Sequence, residues 1–128
     1  MKVIFLDDSE QRQQAMKSIL PCIIQTYTAD ETIEAIKKEK KVDYLFLDHD
    51  LGGQVYVDSN EYNTGMTVAK WLTKNKETLD IGYIILHSFN PAGAKNMAHE
   101  LRGIFQFGTA PFMSDAFKEF VNKLNKEE

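Results

Sequence analysis

Apolar and polar positions follow one another along the chain in blocks that predict five strands, each followed by a helix. Short apolar runs bounded by charge are typical of buried strands in a parallel sheet, and apolar residues spaced three and four apart indicate amphipathic helices. The predicted strands are Lys2–Leu6, Ile23–Tyr27, Asp43–Asp48, Ile81–Leu86 and Ile104–Phe107.

Capping and breaking residues mark where the predicted helices begin and end. Ser9 suits the N-cap of the first helix, and Thr28 forms a capping box with Glu31 in the second. Pro21 stops the first helix, and Pro91 suits the start of the fourth. Right-handed crossovers between successive strands then predict an α/β fold, a doubly wound five-stranded parallel sheet with helices on both faces.

Three of the predicted strands end in acidic side chains or imidazoles. Asp7 and Asp8 follow the first strand, the third ends in Asp48–Asp50, and His87 and Ser88 follow the fourth. Ligands of open α/β sheets bind at the carboxyl ends of the strands. We therefore expect these side chains to gather along one edge of the sheet.

A long segment separates the third strand from its helix. Residues 51–65 exceed the usual length of such a connection, and Asn63 or Thr64 suits the N-cap of the helix that follows. A loop of this length beside an acidic edge fits a lid with substrate contacts and fits a surface hairpin without a role equally well.

Composition limits the class of protein. A chain of 128 residues with 43% hydrophobic and 27% charged residues fits one globular domain, 1–128. The net charge of −4 gives no basic face for duplex DNA, and one cysteine, Cys22, excludes an intramolecular disulfide or a multi-cysteine zinc site. With neither a signal peptide nor a membrane-spanning stretch, we expect a cytoplasmic protein.

The strand–helix order and the placed acids resemble response-regulator receiver domains over nearly the whole chain. Asp7 and Asp8 match that family's acid pair, Asp48 its phosphoacceptor, and Ser88 is the nearest match to its Thr or Ser after the fourth strand. The resemblance implies strand order 2-1-3-4-5, as in flavodoxin-like folds. It also implies Mg²⁺ held by the three aspartates and completed by the backbone carbonyl of Asp50.

Other residues depart from the receiver pattern. Receivers carry a lysine at the end of the fifth strand, whereas Phe107–Pro111 contains none, and His49 and His87 are not receiver features. The stretches Asp48–Gly53 and His87–Ala94 resemble a distinct offshoot, the cyclic-phosphate-processing receiver-like domains of bacteria and phages. This resemblance implies action on cyclic phosphate ends of RNA or nucleotides.

Carboxylates that converge on one crevice repel each other unless they are neutralised. Arg12, one helical turn after Asp8, is the nearest cationic side chain, but Mg²⁺ or Mn²⁺ suits oxygen ligands better. We therefore expect a metal on Asp7, Asp8 and Asp48. The alternative is that solvent and helix N-termini stabilise the carboxylates without a metal.

The remaining polar residues suggest roles in phosphate chemistry. His87 suits a general acid or base, and Ser88, Asn90 and Arg12 suit contacts to phosphate oxygens. The neighbouring His49 and Asp50 are further catalytic candidates. Each histidine has a structural alternative, and side-chain alternation along a strand would point His49 away from Asp48.

Three functions fit these observations. The first is metal-dependent hydrolysis of a cyclic phosphate. The second is a signalling module phosphorylated on Asp48. The third is a receiver-like scaffold that binds a nucleotide without turnover.

Overall fold

Five parallel strands form one sheet in the computed structural model, which describes residues 1–127. The strands are β1 (Val3–Leu6), β2 (Ile24–Thr26), β3 (Lys41–Leu47), β4 (Asp80–Leu86) and β5 (Phe107–Thr109). The helices are α1 (Glu10–Ile19), α2 (Ala29–Glu39), α3 (Gly65–Lys74), α4 (Pro91–Leu101) and α5 (Asp115–Glu127), with a short 3₁₀ turn at Lys76–Thr78. The strand order β2-β1-β3-β4-β5 confirms the predicted fold class and order.

The register of the three central strands fixes the position of the acidic edge. Leu6 pairs with Leu47, and Leu47 pairs in turn with Leu86. Since these strands end at the same level, the residues that follow each of them emerge side by side. The gathering of strand-end side chains predicted from the sequence is thus set by strand pairing.

Two apolar layers cover the faces of the sheet. One contains buried residues of α2, α3 and α4, and the other contains buried residues of α1 and α5. Within β3, Phe46 faces the α1–α5 layer, whereas its neighbours Leu45 and Leu47 face the opposite layer. This alternation is the expected consequence of the pleat of a strand buried on both faces.

Side chains cap the first two helices at their starts. Ser9 accepts from the backbone N–H of Arg12, and Thr28 accepts from that of Glu31, as predicted. Thr64 occupies the N-cap position of α3 without a capping bond from its side chain. Within residues 1–127, no helix has both the length and the apolar character needed to cross a membrane.

The predicted position of the fifth strand was wrong, because the strand begins at Phe107 and not at Ile104. The prediction began at Ile104, but the backbone N–H groups of Ile104 and Phe105 both bond to the carbonyl of Leu101, so this segment finishes the turn after α4. The strand instead starts at Phe107 and includes Gly108, which the prediction placed in a loop. The last helix, α5, continues to Glu127, and Glu128 lies outside the described residues.

Candidate functional site

Asp7, Asp48 and His87 form a compact cluster at the carboxyl edge of the sheet. Each offers a ligand atom, and these atoms lie within 4.8 Å of one another. All three side chains are buried, although Asp48 retains 3% exposure. The structure thus brings together two predicted metal ligands with the histidine predicted for acid–base chemistry.

His87 lies beneath the two carboxylates, in an aromatic setting. Its Nε2 atom is 3.1 Å from Oδ2 of Asp7, and its ring stacks on Phe5 with centroids 4.8 Å apart. Phe112 and Phe117 also contact the ring, and Nδ1 is buried without a hydrogen-bond partner among the described residues. The Asp7 carboxylate is an acceptor, so it favours the tautomer with the proton on Nε2.

Asp48 has the most perturbed carboxyl group of the cluster. Burial raises the pKa of Asp48 to about 6, and the nearby Asp7 carboxylate acts in the same direction. His87, Arg12 and a hydrogen bond from the backbone of His49 oppose the rise in this pKa. The group is therefore ionised at neutral pH at a free-energy cost that a bound cation would relieve.

Asp8 and Arg12 lie at the open side of the cluster. Oδ2 of Asp8 accepts from the backbone N–H of Gly53 at 2.6 Å, and Nη1 of Arg12 lies 3.6 Å from Oδ2 of Asp7. Both side chains line a cleft of about 390 Å³ that also borders Asp48 and Ser88. Arg12 thus places a cationic group beside the buried Asp7 carboxylate.

The loop after β3 forms one wall of this cleft. Gly53–Tyr56 line it, and Phe89 lies across from them. Tyr56 is 74% exposed and Phe89 is 58% exposed, with the Arg12 guanidinium 5.9 Å from the centre of the Phe89 ring. The predicted placement of the long loop beside the acidic edge agrees with the structure, whereas substrate contact by the loop stays a prediction.

Ser88 and Asn90 follow β4 but take different positions. Ser88 lines the cleft, and its Oγ accepts from the backbone N–H of Asn90 at 3.0 Å, which leaves the hydroxyl proton available to a ligand. The Asn90 amide donates to Asp50 and accepts from the backbone N–H of Gly93. The structure therefore uses Asn90 inside the protein, and its predicted contact with phosphate stays a prediction.

His49 is directed to the opposite face of the sheet from Asp48 and His87. Its Nδ1 lies 2.8 Å from Oδ1 of Asp50, and its Nε2 lies 2.8 Å from Oγ of Ser59. Burial by itself would raise the pKa of Asp50, but hydrogen bonds from Asn90, His49 and the loop backbone lower it below the ordinary value. The catalytic roles predicted for His49 and Asp50 stay predictions, and in the structure these residues tie the loop to α4.

Sequence reasoning missed Ser59 and Asn96, which complete the surroundings of His49. Asn96 donates from Nδ2 to Oγ of Ser59 at 2.9 Å. Ser59 lies inside the loop, where no strand or helix period predicts the direction of a side chain. The available signal was local: a histidine beside an aspartate needs a second partner for its other ring nitrogen.

The donors at the cluster fit a divalent cation. Two buried carboxylates converge beside an imidazole, and Asp8 lies at the mouth of the same cleft. Carboxylate oxygens suit Mg²⁺ and Mn²⁺, and the His87 imidazole, which lies against Asp7, orients one of these carboxylates. Burial, with a smaller contribution from the Asp7 carboxylate, raises the pKa of Asp48, so its charged form is poorly solvated at this position.

Solved structures similar to this chain are receiver domains. The signal receiver domain of a putative LuxO repressor protein from Vibrio parahaemolyticus has a TM-score of 0.63 at 20% identity, covering 98% of this chain and 90% of that chain. The REC domain of AraT, a response regulator from Geobacillus stearothermophilus, has a TM-score of 0.64 at 17% identity, covering 98% and 93%. The receiver domain of Ssk1 from Saccharomyces cerevisiae, solved with Ypd1, has a TM-score of 0.64 at 16% identity, covering 96% and 87%. At these identities the similarity shows the fold.

The family is shown by sequence. No curated protein matches the chain. A family model described as "Cyclic-phosphate processing Receiver domain" matches residues 2–103. Because this match covers most of the chain and agrees with the fold, the protein belongs to the family of cyclic-phosphate processing receiver domains.

Proposed function

We propose that the protein hydrolyses a cyclic phosphodiester of a nucleotide or an RNA end. The reaction takes place in the cleft above Asp48, with Mg²⁺ or Mn²⁺ held by Asp7, Asp8 and Asp48. The observation that carries this proposal is the convergence of the buried carboxylates of Asp7 and Asp48 beside a cleft that Asp8 and Asp48 line. A bound divalent cation supplies Lewis-acid stabilisation of charge on the phosphoryl group and a lowered pKa for attacking water.

Arg12 and Ser88 bind the phosphate in this proposal. The guanidinium of Arg12 is one-third exposed and beside Asp7, so it can turn two N–H donors toward an anion in the cleft. The Ser88 hydroxyl has its acceptor side occupied by the Asn90 backbone and donates to a phosphate oxygen. A phosphodiester has one negative charge, which these donors match.

His87 positions Asp7 in this proposal. The ring is fully buried and does not border the cleft, so its predicted direct proton transfer to substrate finds no support in its placement. Its hydrogen bond to Oδ2 of Asp7 instead fixes one carboxylate oxygen and leaves the other to the backbone of Ser9. Such a partner orients a metal-ligating carboxylate and strengthens its hold on the cation.

The experiment is a turnover assay with 2′,3′- and 3′,5′-cyclic nucleotides in Mg²⁺ or Mn²⁺. We expect turnover that requires the metal and falls by more than about 100-fold in Asp48→Asn, because a metal ligand is lost. Asp80→Asn is the matched control, since Asp80 is an exposed carboxylate at the opposite end of β4. Failure to turn over any substrate with either metal, or equal rates in Asp48→Asn, contradicts the proposal.

A second candidate function is phosphorylation of Asp48 in a signalling module. The observation in its favour is that Asp48 directly follows β3 of a receiver fold and lines an open cleft. Ala110 precedes Pro111, however, where receivers have lysine. Stable acyl-phosphate labelling of Asp48 by acetyl phosphate and Mg²⁺, without cyclic-nucleotide turnover, would favour this candidate.

Binding of a cyclic nucleotide with neither turnover nor labelling would favour the nucleotide-binding scaffold.

A further inference from the structure

A second constellation of reactive side chains lies on the face of the sheet opposite to His87. Oδ1 of Asp50 is 2.8 Å from Nδ1 of His49, and Nε2 of the same ring is 2.8 Å from Oγ of Ser59. Asn96 on α4 donates from Nδ2 to that hydroxyl oxygen at 2.9 Å. The three residues Asp50, His49 and Ser59 therefore form a continuous carboxylate–imidazole–hydroxyl chain.

The hydrogen-bond partners fix the direction of each proton along this chain. Asp50 accepts bonds from Asn90 and from the backbone of Tyr56 and Val57, so it is an acceptor toward His49 and holds the ring proton on Nδ1. The unprotonated Nε2 then accepts from Ser59, whose oxygen is itself a target of the Asn96 amide. This is the arrangement in which an imidazole removes a proton from an attacking serine.

Ser59 is accessible, while the groups behind it are not. The His49 ring is fully buried, whereas Ser59 is half-buried and lines a pocket of about 500 Å³. The first turn of α4, Pro91–Gly93, forms the facing wall of that pocket. A molecule in the pocket thus meets the hydroxyl beside a helix N-terminus, whose partial positive charge stabilises a developing oxyanion.

We propose that Ser59 is the nucleophile of a second hydrolytic site that acts on neutral carboxylic esters, with His49 as its general base and Asp50 as a positioning residue. The ester preference follows from the charge of the pocket. The described residues that line it contain no lysine or arginine and one carboxylate, Asp58. No cationic side chain of residues 1–127 lines the pocket to pair with the full charge of a phosphate, whereas a neutral carbonyl acquires negative charge only in the transition state.

The reaction proceeds in two balanced steps. Ser59 Oγ bonds to the acyl carbon and its proton passes to Nε2 of His49; the carbon–oxygen bond to the alcohol then breaks, and His49 returns the proton to the departing oxygen. In the second step water attacks the acyl carbon and gives its proton to His49. The bond to Ser59 breaks, Oγ recovers the proton, and a carboxylic acid leaves. The steps need no metal, oxidant or further reactant.

The first test maps reaction of the intact protein with a fluorophosphonate probe in the presence of EDTA, which keeps divalent cations from contributing. We expect one probe per chain, bound to Ser59 by peptide mass mapping, and no adduct after unfolding in urea, where Ser59 is an ordinary serine. Absence of an adduct at Ser59 in the folded protein, or equal labelling in urea, overturns the proposal.

The second test measures hydrolysis of p-nitrophenyl acetate under the same conditions. We expect Ser59→Ala to lower the enzymatic rate by about 100-fold or more, since it removes the nucleophile and its base-assisted attack. Ser18→Ala, on an exposed turn of α1, is the matched control and should retain the full rate. Equal hydrolysis by wild type and Ser59→Ala overturns the proposal; because Ser59 lies in a loop, the variant keeps the core intact.

Discussion

The lack of a side chain at position 93 makes room for the imidazole of His49. A Cβ built on Gly93 would overlap the His49 ring at Cγ, Nδ1 and Cδ2. The ring is fully buried and bonded at both nitrogens, so it has no free space to turn into. The packing of the His49 ring therefore requires glycine at position 93. The backbone N–H of Gly93 also donates to the Asn90 side chain, which caps α4.

We expect Gly93→Ala to lower the free energy of unfolding by about 1–3 kcal/mol, because overpacking forces the His49 ring or α4 to shift. Chemical denaturation measures this loss, and the NMR signals of the His49 ring report its displacement. Ala92→Ser is the matched control, since Ala92 is exposed on the same turn. A Gly93→Ala protein as stable as Ala92→Ser, with unchanged His49 signals, would contradict this account of the packing.

At the residue scale, the sequence predicted which reactive side chains lie at the sheet edge, but it did not predict all of the residues that contact them. Strand-end positions predicted that Asp7, Asp48 and His87 would meet, because register in a parallel sheet aligns strand ends. The contact between His49 and Ser59 could not be predicted in this way. It depends on the path of an irregular loop, which no repeating pattern encodes.

At the scale of the structural elements, the Asp50 side chain holds the loop 51–64 through several hydrogen bonds. The Asp50 carboxylate accepts from the backbone N–H of Tyr56 at 2.6 Å and from that of Val57 at 3.2 Å. It also accepts from the Asn90 amide at 2.9 Å, which links the loop to the start of α4. A charged acceptor with several donors is a strong local anchor.

We expect Asp50→Ala to release the loop while the sheet stays folded. Hydrogen exchange at the Tyr56 and Val57 amides should accelerate by about tenfold or more, corresponding to the loss of a bond to a charged acceptor worth about 1.5–3 kcal/mol. Exchange monitored by mass spectrometry or NMR gives the measurement. Asp58→Ala is the control, because the Asp58 carboxylate accepts only from the nearby N–H of Asn60 among the described residues; equal acceleration in the control would argue against Asp50 as the anchor.

The element that sequence reasoning misplaced, β5, shows how packing overrides a local pattern. The apolar run Ile104–Phe107 resembles a strand, but its first residues complete the turn that follows α4. Gly108 lies beyond the predicted end of the strand, yet it pairs with Ile85, and the hydroxyl of Tyr83 would lie 2.5 Å from a Cβ at this position. Neither contact is visible in the order of apolar and polar residues.

At the scale of the whole molecule, the strand–helix alternation was sufficient for the architecture. Successive parallel strands joined by helices restrict the chain to few topologies, since crossovers are right-handed. The buried strands then align Leu6, Leu47 and Leu86 across the centre of the sheet. The fold was therefore predictable from periodicity and family resemblance, whereas the fine placement of loops depended on contacts distant in sequence.

The stability of the metal-free protein should fall as pH rises through the range in which Asp48 ionises. Its pKa is raised from 3.8 to about 6 in the folded state, so the fold binds a proton that the unfolded chain releases earlier. Ionisation between these values costs about 3 kcal/mol of folding free energy. We therefore expect Asp48→Asn to be more stable than wild type at pH 8, with the difference disappearing near pH 4.

Denaturation curves over this pH range in EDTA measure the difference. Addition of Mg²⁺ or Mn²⁺ at pH 8 should stabilise the wild-type protein and have less effect on Asp48→Asn, because binding to the folded state adds to its stability. Asp80→Asn controls for the loss of one charge. A stability difference between Asp48→Asn and wild type that does not change with pH would contradict the electrostatic origin of the effect.

The sheet separates the packing environments of the two histidine rings. His87 packs with Phe5, Phe112 and Phe117 in the α1–α5 layer, whereas His49 packs against Gly93 in α4. The two packing environments meet at one point, because the backbone N–H of His49 donates to the Asp48 carboxylate, which clusters with His87. Substitutions at residues that share a partner couple in their effect on folding, so a change at Asp48 reaches both faces of the sheet.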